Sequence, residues 1–144
     1  MANPLIQIEN LSKAFSPGFP VLKNLNFTLP QNQMIGLVGP DGAGKTTLIR
    51  LIAALLLPTT GKIEVLGADT VLNADKIHSF SSYMPQRFGL YEDLTVQQNL
   101  DLYAELKGLD KNLRKEAFEK LFFFSNHSNI RSLNQRIDHI FPVF

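Results

Sequence analysis

The stretch Gly39-Pro40-Asp41-Gly42-Ala43-Gly44-Lys45-Thr46-Thr47 constrains this chain more than any other. It satisfies G-x-x-x-x-G-K-[ST], the pattern of a phosphate-binding loop. The apolar run at 34–38 before it predicts a buried strand. Residues 46–56 after it predict a helix stopped near Pro58. Strand, glycine-rich loop and helix, in that order, is the arrangement such a loop requires.

The chemistry follows from the residue types. Gly39, Gly42 and Gly44 permit backbone dihedrals that a Cβ would block. The loop, with Pro40, Asp41 and Ala43 between its glycines, can then turn its N–H groups toward a polyphosphate. The N-terminus of the following helix adds positive dipole at the same place. Lys45 is expected to reach the β- and γ-phosphates, and Thr46 to ligate Mg²⁺ through its hydroxyl. Thr47 is placed to help hold an α-phosphate.

A chain of 144 residues, 44% hydrophobic and 19% charged, is one domain's worth with enough apolar residues for a core. A net charge of +1 argues against a strong nucleic-acid footprint. There is no cysteine, hence no disulfide framework and no thiolate metal site. His78, His127 and His139 show no ligand spacing. The N-terminus lacks the basic and apolar regions of a signal peptide. The longest apolar-rich run, 48–57, contains Arg50 and is too short to span a bilayer. A soluble chain without direct membrane insertion is expected, compatible with the cytoplasm.

Along the chain, 5–9 and 21–29 read as strands around the turn Ser16-Pro17-Gly18. A small, largely antiparallel β layer is therefore expected before the loop. Pro58-Thr59-Thr60-Gly61 is a turn, and 62–66 alternates as a strand. A short helix is expected within 72–79 and a strand over 80–84. That strand would stop at Pro85-Gln86 and carry Gln86 to the ligand, at the carboxyl end of the sheet. Thr95 and Gln98 fit a capping box that opens a helix closed at Gly108. A second helix is expected from Asp110 to about Phe124, its Phe122-Phe123-Phe124 at the end of a buried helix. Arg131 and Arg136 read as solvated charges.

Together these motifs resemble the N-terminal part of the nucleotide-binding domain of ABC transporters. The run 39–47 resembles that family's Walker A, with Asp41 where Asn or Ser is commoner. Pro58-Thr59-Thr60-Gly61-Lys62-Ile63 followed by Gly67 resembles the passage into the next strand. Tyr83-Met84-Pro85-Gln86 resembles the Q-loop, and 90–100 resembles the segment on its C-terminal side. Asp41 with Met84-Pro85-Gln86-Arg87-Phe88-Gly89-Leu90-Tyr91 looks like the ATP-binding subunits of ABC-2-type, multidrug-export systems.

The resemblance implies an α/β fold: a P-loop NTPase (ABC ATPase) core, truncated, with an N-terminal antiparallel β layer and the start of a helical arm. It covers 5–124, divided into a β layer at 5–32, a core to the Q-loop at 33–94 and the start of the helical subdomain at 95–124. The tail, 125–144, is unlike the family. The implied ligands are ATP and Mg²⁺. Phe15 would stack on adenine, with Phe19 as a rival. Lys45 and Gln86 would serve catalysis, Gln86 also contacting Mg²⁺ and the attacking water. Phe88, Leu90 and Tyr91 lie where the family docks its transmembrane permease subunit, and a second ATP-binding domain would complete the site. The assembled protein would sit at the inner or plasma membrane.

The sequence also departs from the family. No Gly follows Gly108, so no LSGGQ-like segment is present, and no apolar run leads into Asp-Glu as in a Walker B strand. A truncated or frameshifted product diverging near Phe124 is expected, with Mg-ATP binding at best and hydrolysis near background. A non-catalytic remnant and a soluble, translation-linked ABC protein stay open as alternatives. A small kinase or GTPase lacks support, because no N-K-x-D guanine reader is found.

Overall fold

The computed structural model describes residues 4–86 and 89–125. Strands β1 (Ile6–Ser16) and β2 (Phe19–Leu29) form a hairpin closed at Pro17 and Gly18. Gly18 takes a φ of 82°, which a residue with a Cβ rarely adopts. Strands β3 (Thr60–Val65) and β4 (Ala68–Asp69) extend this into one antiparallel sheet of order β2-β1-β3-β4. The expected antiparallel layer is therefore formed, and it takes in β3 as well.

Alternation sets the core. Ile6 and Ile8 face Val65 and Ile63 in register, and all four are buried on one side of the sheet. Leu48 and Leu51 of helix α1 (Lys45–Ile52) and Ile77 of helix α2 (Ala74–Phe80) are buried in the same cluster. Two asparagines interrupt the hairpin. Asn10 and Asn24 take φ of 48° and 47°, a region asparagine tolerates better than most residues. The Asn10 N–H donates to Asn26 Oδ1 at 2.8 Å, and the Asn24 N–H donates to Ser12 Oγ at 2.9 Å. Side chains thus replace the ladder bonds that the bulges remove.

Helix α1 stops at Ile52, short of the expected 46–56. The Leu55 N–H donates to Arg50 O at 2.9 Å and the Ala54 N–H to Leu51 O at 3.1 Å. Ala54 takes a φ of 54°. This is a Schellman turn, which satisfies the last carbonyls before Pro58 is reached. Apolar composition through Leu57 carries no signal of it.

Two expected strands are absent. Residues 34–38 are in no strand, and Met34 and Val38 are fully exposed. Residues 81–85 have no regular structure, and Phe80 closes α2 instead. Both readings rested on apolar runs. A strand exists only through a neighbour's hydrogen bonds, and among the described residues none pairs with either run.

Among the described residues, those up to Met84 form one compact unit and those from Pro85 another. In the second unit, α3 (Val96–Leu106) opens with the expected capping box. The Gln98 N–H donates to Thr95 Oγ1 at 3.2 Å, and the Thr95 N–H donates to Gln98 Oε1 at 2.8 Å. The helix closes at Gly108, φ 68°, with the Leu109 N–H on Ala104 O at 2.8 Å. Helix α4 (Lys111–Ser125) follows, its start capped by Asp110 Oδ1 accepting from the Asn112 N–H at 2.7 Å. Phe123 is exposed, so the aromatic run does not end a buried helix at that position. Helical spacing makes an apolar stripe without supplying a layer to cover it. The expectations for Arg87, Phe88, His127, Arg131, Arg136, His139 and the tail beyond Ser125 lie outside the described residues.

Candidate functional site

The loop 39–44 is a tight turn, with the Ala43 N–H donating to Pro40 O at 3.3 Å. Gly42 and Gly44 take φ of 79° and 86°. Lys45 opens α1, and the turn around it brings its ammonium back across the loop. Lys45 Nζ donates to Gly39 O and to Pro40 O, each at 2.7 Å. Thr46 is exposed and Thr47 half-buried in the first turn of the helix. The Gly44 N-cap has no side chain to cap that turn, and the turn carries no acidic residue. The first N–H groups of α1 and its positive dipole end thus stay available for an anion.

Gly44 answers to a second demand that its place in the motif does not reveal. A Cβ there would lie 2.8 Å from Leu22 Cδ2 and 3.1 Å from Val21 Cγ1. The loop is therefore backed by β2. Leu22 is buried and Val21 is partly exposed beside the loop. Neither residue stood out in the sequence, because the contact joins positions more than twenty residues apart.

The far end of the hairpin carries both candidate aromatics. Phe15 is 63% exposed near the end of β1, and Phe19 is 78% exposed at the start of β2. The Lys13 ammonium lies 5.1 Å from the centroid of the Phe15 ring and covers one of its faces. Register pairs Lys13 with Leu22, which ties this end of β1 to the strand that backs Gly44. Thr59, between α1 and β3, bonds to the residue before Phe15. Its Oγ1 accepts from the Ala14 N–H at 3.0 Å and donates to Ala14 O at 3.3 Å. In the sequence Thr59 stood only within a turn and the family-like passage into β3, with no contact to β1 assigned.

Gln86 is exposed and lies at a bend in the second unit, with no strand to deliver it. The structure therefore corrects the route by which the sequence brought it to the ligand. In the same unit Leu90 is half-buried and Tyr91 exposed. Asn99, 2% exposed on α3, holds their loop. Its Nδ2 donates to Tyr91 O at 2.9 Å and Thr95 O at 3.0 Å, and its Oδ1 accepts from the Tyr91 N–H at 2.8 Å. The Tyr103 hydroxyl donates to Gly89 O. Among the described residues no helix is long and apolar enough to cross a membrane. No cluster of three His, Cys, Asp or Glu among them could hold a metal ion by itself.

The family model described as "ABC transporter" matches residues 22–140. The chain is 45% identical over 128 residues to the "Probable multidrug ABC transporter ATP-binding protein YbhF" of Escherichia coli (strain K12), covering 88% of this chain and 22% of that protein. It is 38% identical over 117 residues to the "ABC-type transporter ATP-binding protein EcsA" of Bacillus subtilis (strain 168), covering 81% and 47%. It thus spans less than half the length of these curated relatives. A solved "ATP binding subunit of ABC transporter" superposes with a TM-score of 0.76 at 27% identity, over 94% of this chain and 55% of that one. The fold is also that of the dimeric ATP-binding cassette MJ0796, with a TM-score of 0.75 at 22% identity over 92% and 62%. With a family model matching residues 22–140, this chain belongs to the ABC transporter family.

Proposed function

We propose that the chain is a Mg-ATP-binding segment of the ATP-binding component of a multidrug-type ABC exporter. The observation that carries this is the uncapped N-terminus of α1 behind a turn built on Gly42 and Gly44. Free backbone N–H groups, the helix dipole and the Lys45 ammonium are the groups that would hold a polyphosphate. Lys45 exchanges its contacts with Gly39 and Pro40 for the β- and γ-phosphates. Thr46, exposed in the first turn, supplies a hydroxyl to Mg²⁺, and Thr47 steadies an α-phosphate. Phe15 offers its free face to adenine, while Gly39, Pro40, Asp41 and Ala43 shape the loop. Mg²⁺, when bound, offsets charge on the phosphates.

In the assembled transporter Gln86 would contact Mg²⁺ and orient the attacking water. Phe88, Leu90 and Tyr91 would meet the permease subunit, and a second ATP-binding domain would close the site. The protein would then lie against the inner or plasma membrane on its cytoplasmic side, coupling ATP binding and hydrolysis to export. Residues 5–124 make up the family segment in this reading, divided at 32 and 94. Hydrolysis by this chain alone stays near background, because the residues named here include no carboxylate acting as general base.

Titration calorimetry with Mg-ATP tests the reading. The full chain is expected to bind, and Lys45→Ala to lose most of that binding. Phosphate release is expected to match buffer in both. Equal binding by the Lys45→Ala chain, or robust turnover abolished by that substitution, would overturn it.

A further inference from the structure

We propose that Thr59 is a positioning residue that sets the Phe15 ring for the nucleobase. The proposal rests on the reading of Phe15 as the stacking aromatic.

The β1–β3 ladder ends at the pair Ser12 and Thr60, three residues before Phe15. Beyond that pair β1 has no strand residue opposite on that side, among the described residues. The Thr59 hydroxyl stands in for one. It accepts from the Ala14 N–H at 3.0 Å and donates to Ala14 O at 3.3 Å, while the Thr59 N–H donates to Ser12 O at 2.9 Å. A hydroxyl is donor and acceptor at once, so a single atom serves both backbone groups of the residue before the aromatic. This holds the peptide plane that leads into the Phe15 Cα.

The other side of β1 holds this segment poorly. Its register with β2 shifts on both sides of Ala14. Both backbone groups of Ala14 are turned to Thr59, so β2 makes no bond to that residue. Lys13 already lies over one face of the ring, so the direction of the remaining face decides whether a base can stack. Thr59 is exposed, so the Ala14 groups released by its loss meet water rather than apolar core. Removing the hydroxyl therefore loosens the ring's placement and leaves the fold in place.

The experiment measures two ligands on the full chain: 1,N6-etheno-ATP by fluorescence, whose quenching reports stacking, and inorganic tripolyphosphate by calorimetry, which has no base. Thr59→Val is expected to weaken etheno-ATP binding about three- to ten-fold, part of what the loss of a stacking ring costs. Its quenching is expected to fall as well. Tripolyphosphate affinity is expected to stay unchanged, and Thr59→Ser to restore both etheno-ATP values. Parental etheno-ATP binding in Thr59→Val overturns the proposal. So does an equal loss of tripolyphosphate, or failure of Thr59→Ser to rescue. Phe15→Ala separates the two ideas. If it weakens etheno-ATP while Thr59→Val does not, the Thr59 proposal alone falls. If Phe15→Ala changes nothing, the stacking reading falls and takes the proposal with it.

Discussion

Asn99 grips the backbone of Tyr91 from both sides, accepting from its N–H at 2.8 Å and donating to its carbonyl at 2.9 Å. The pair reproduces a strand-like exchange of bonds between a side chain and a loop. It gives the 89–94 loop a defined shape, although that loop has no ladder of its own.

Asn99→Ala is expected to free the Tyr91 amide and lower the stability of the helical unit by about 2–3 kcal/mol, since a buried network is left half-satisfied. Asn99→Asp is expected to cost at least as much, because a carboxylate would face the carbonyls of Tyr91 and Thr95. Hydrogen exchange at the Tyr91 amide reads this directly. Unchanged protection in both variants would contradict it.

Gly42 and Gly44 share a left-handed φ but differ in surroundings. A Cβ on Gly42 meets nothing within 4 Å, whereas one on Gly44 meets Leu22. Gly42→Ala should cost about 1–2 kcal/mol from backbone strain alone. Gly44→Ala should cost roughly 2–5 kcal/mol, with overpacking added to that strain. Urea unfolding of the two variants side by side checks the difference.

Ala54 closes α1 in a conformation that favours glycine. Ala54→Gly is expected to stabilise the chain by about 0.5–1 kcal/mol, as relief of strain outweighs the added freedom of the unfolded chain. A fall in the urea midpoint would show that the turn is held differently.

Met34 and Val38 are fully exposed. Replacing both with Lys should leave stability within about 0.5 kcal/mol, because neither buries surface in this chain. The same change should reduce aggregation, measured by light scattering on concentration, since it breaks an apolar five-residue run.

The parts of the fold that were legible are those written locally. The capping box of α3 is complete within four residues, Thr95 to Gln98, so its chemistry could be read without knowing what surrounds it. The antiparallel layer was legible in part, from the alternation at 5–9 and the Pro-Gly turn, but β1 runs on to Ser16 where alternation gave no strand. The tight turn at 39–44 was legible because its glycines lie within six residues, two of them at left-handed φ. The runs 34–38 and 80–84 were misread because a strand is a relation between two segments, and composition describes only one. Leu22 behind Gly44 and Thr59 beside Ala14 were missed on the same ground. Each acts on a residue more than twenty positions away, and nothing in its own neighbourhood marks it.

The two left-handed asparagines of the hairpin bear on how this sheet meets other molecules. Among the described residues β2 is an outer strand, and a regular outer strand is a template on which a second chain can add. Asn24 breaks that template within β2, and the register to β1 slips again between Leu25 and Phe27. An incoming strand would find only 27–29 running true, too short a foothold to hold it. The irregularity that looks like a flaw in the ladder therefore makes this border one on which further molecules cannot grow.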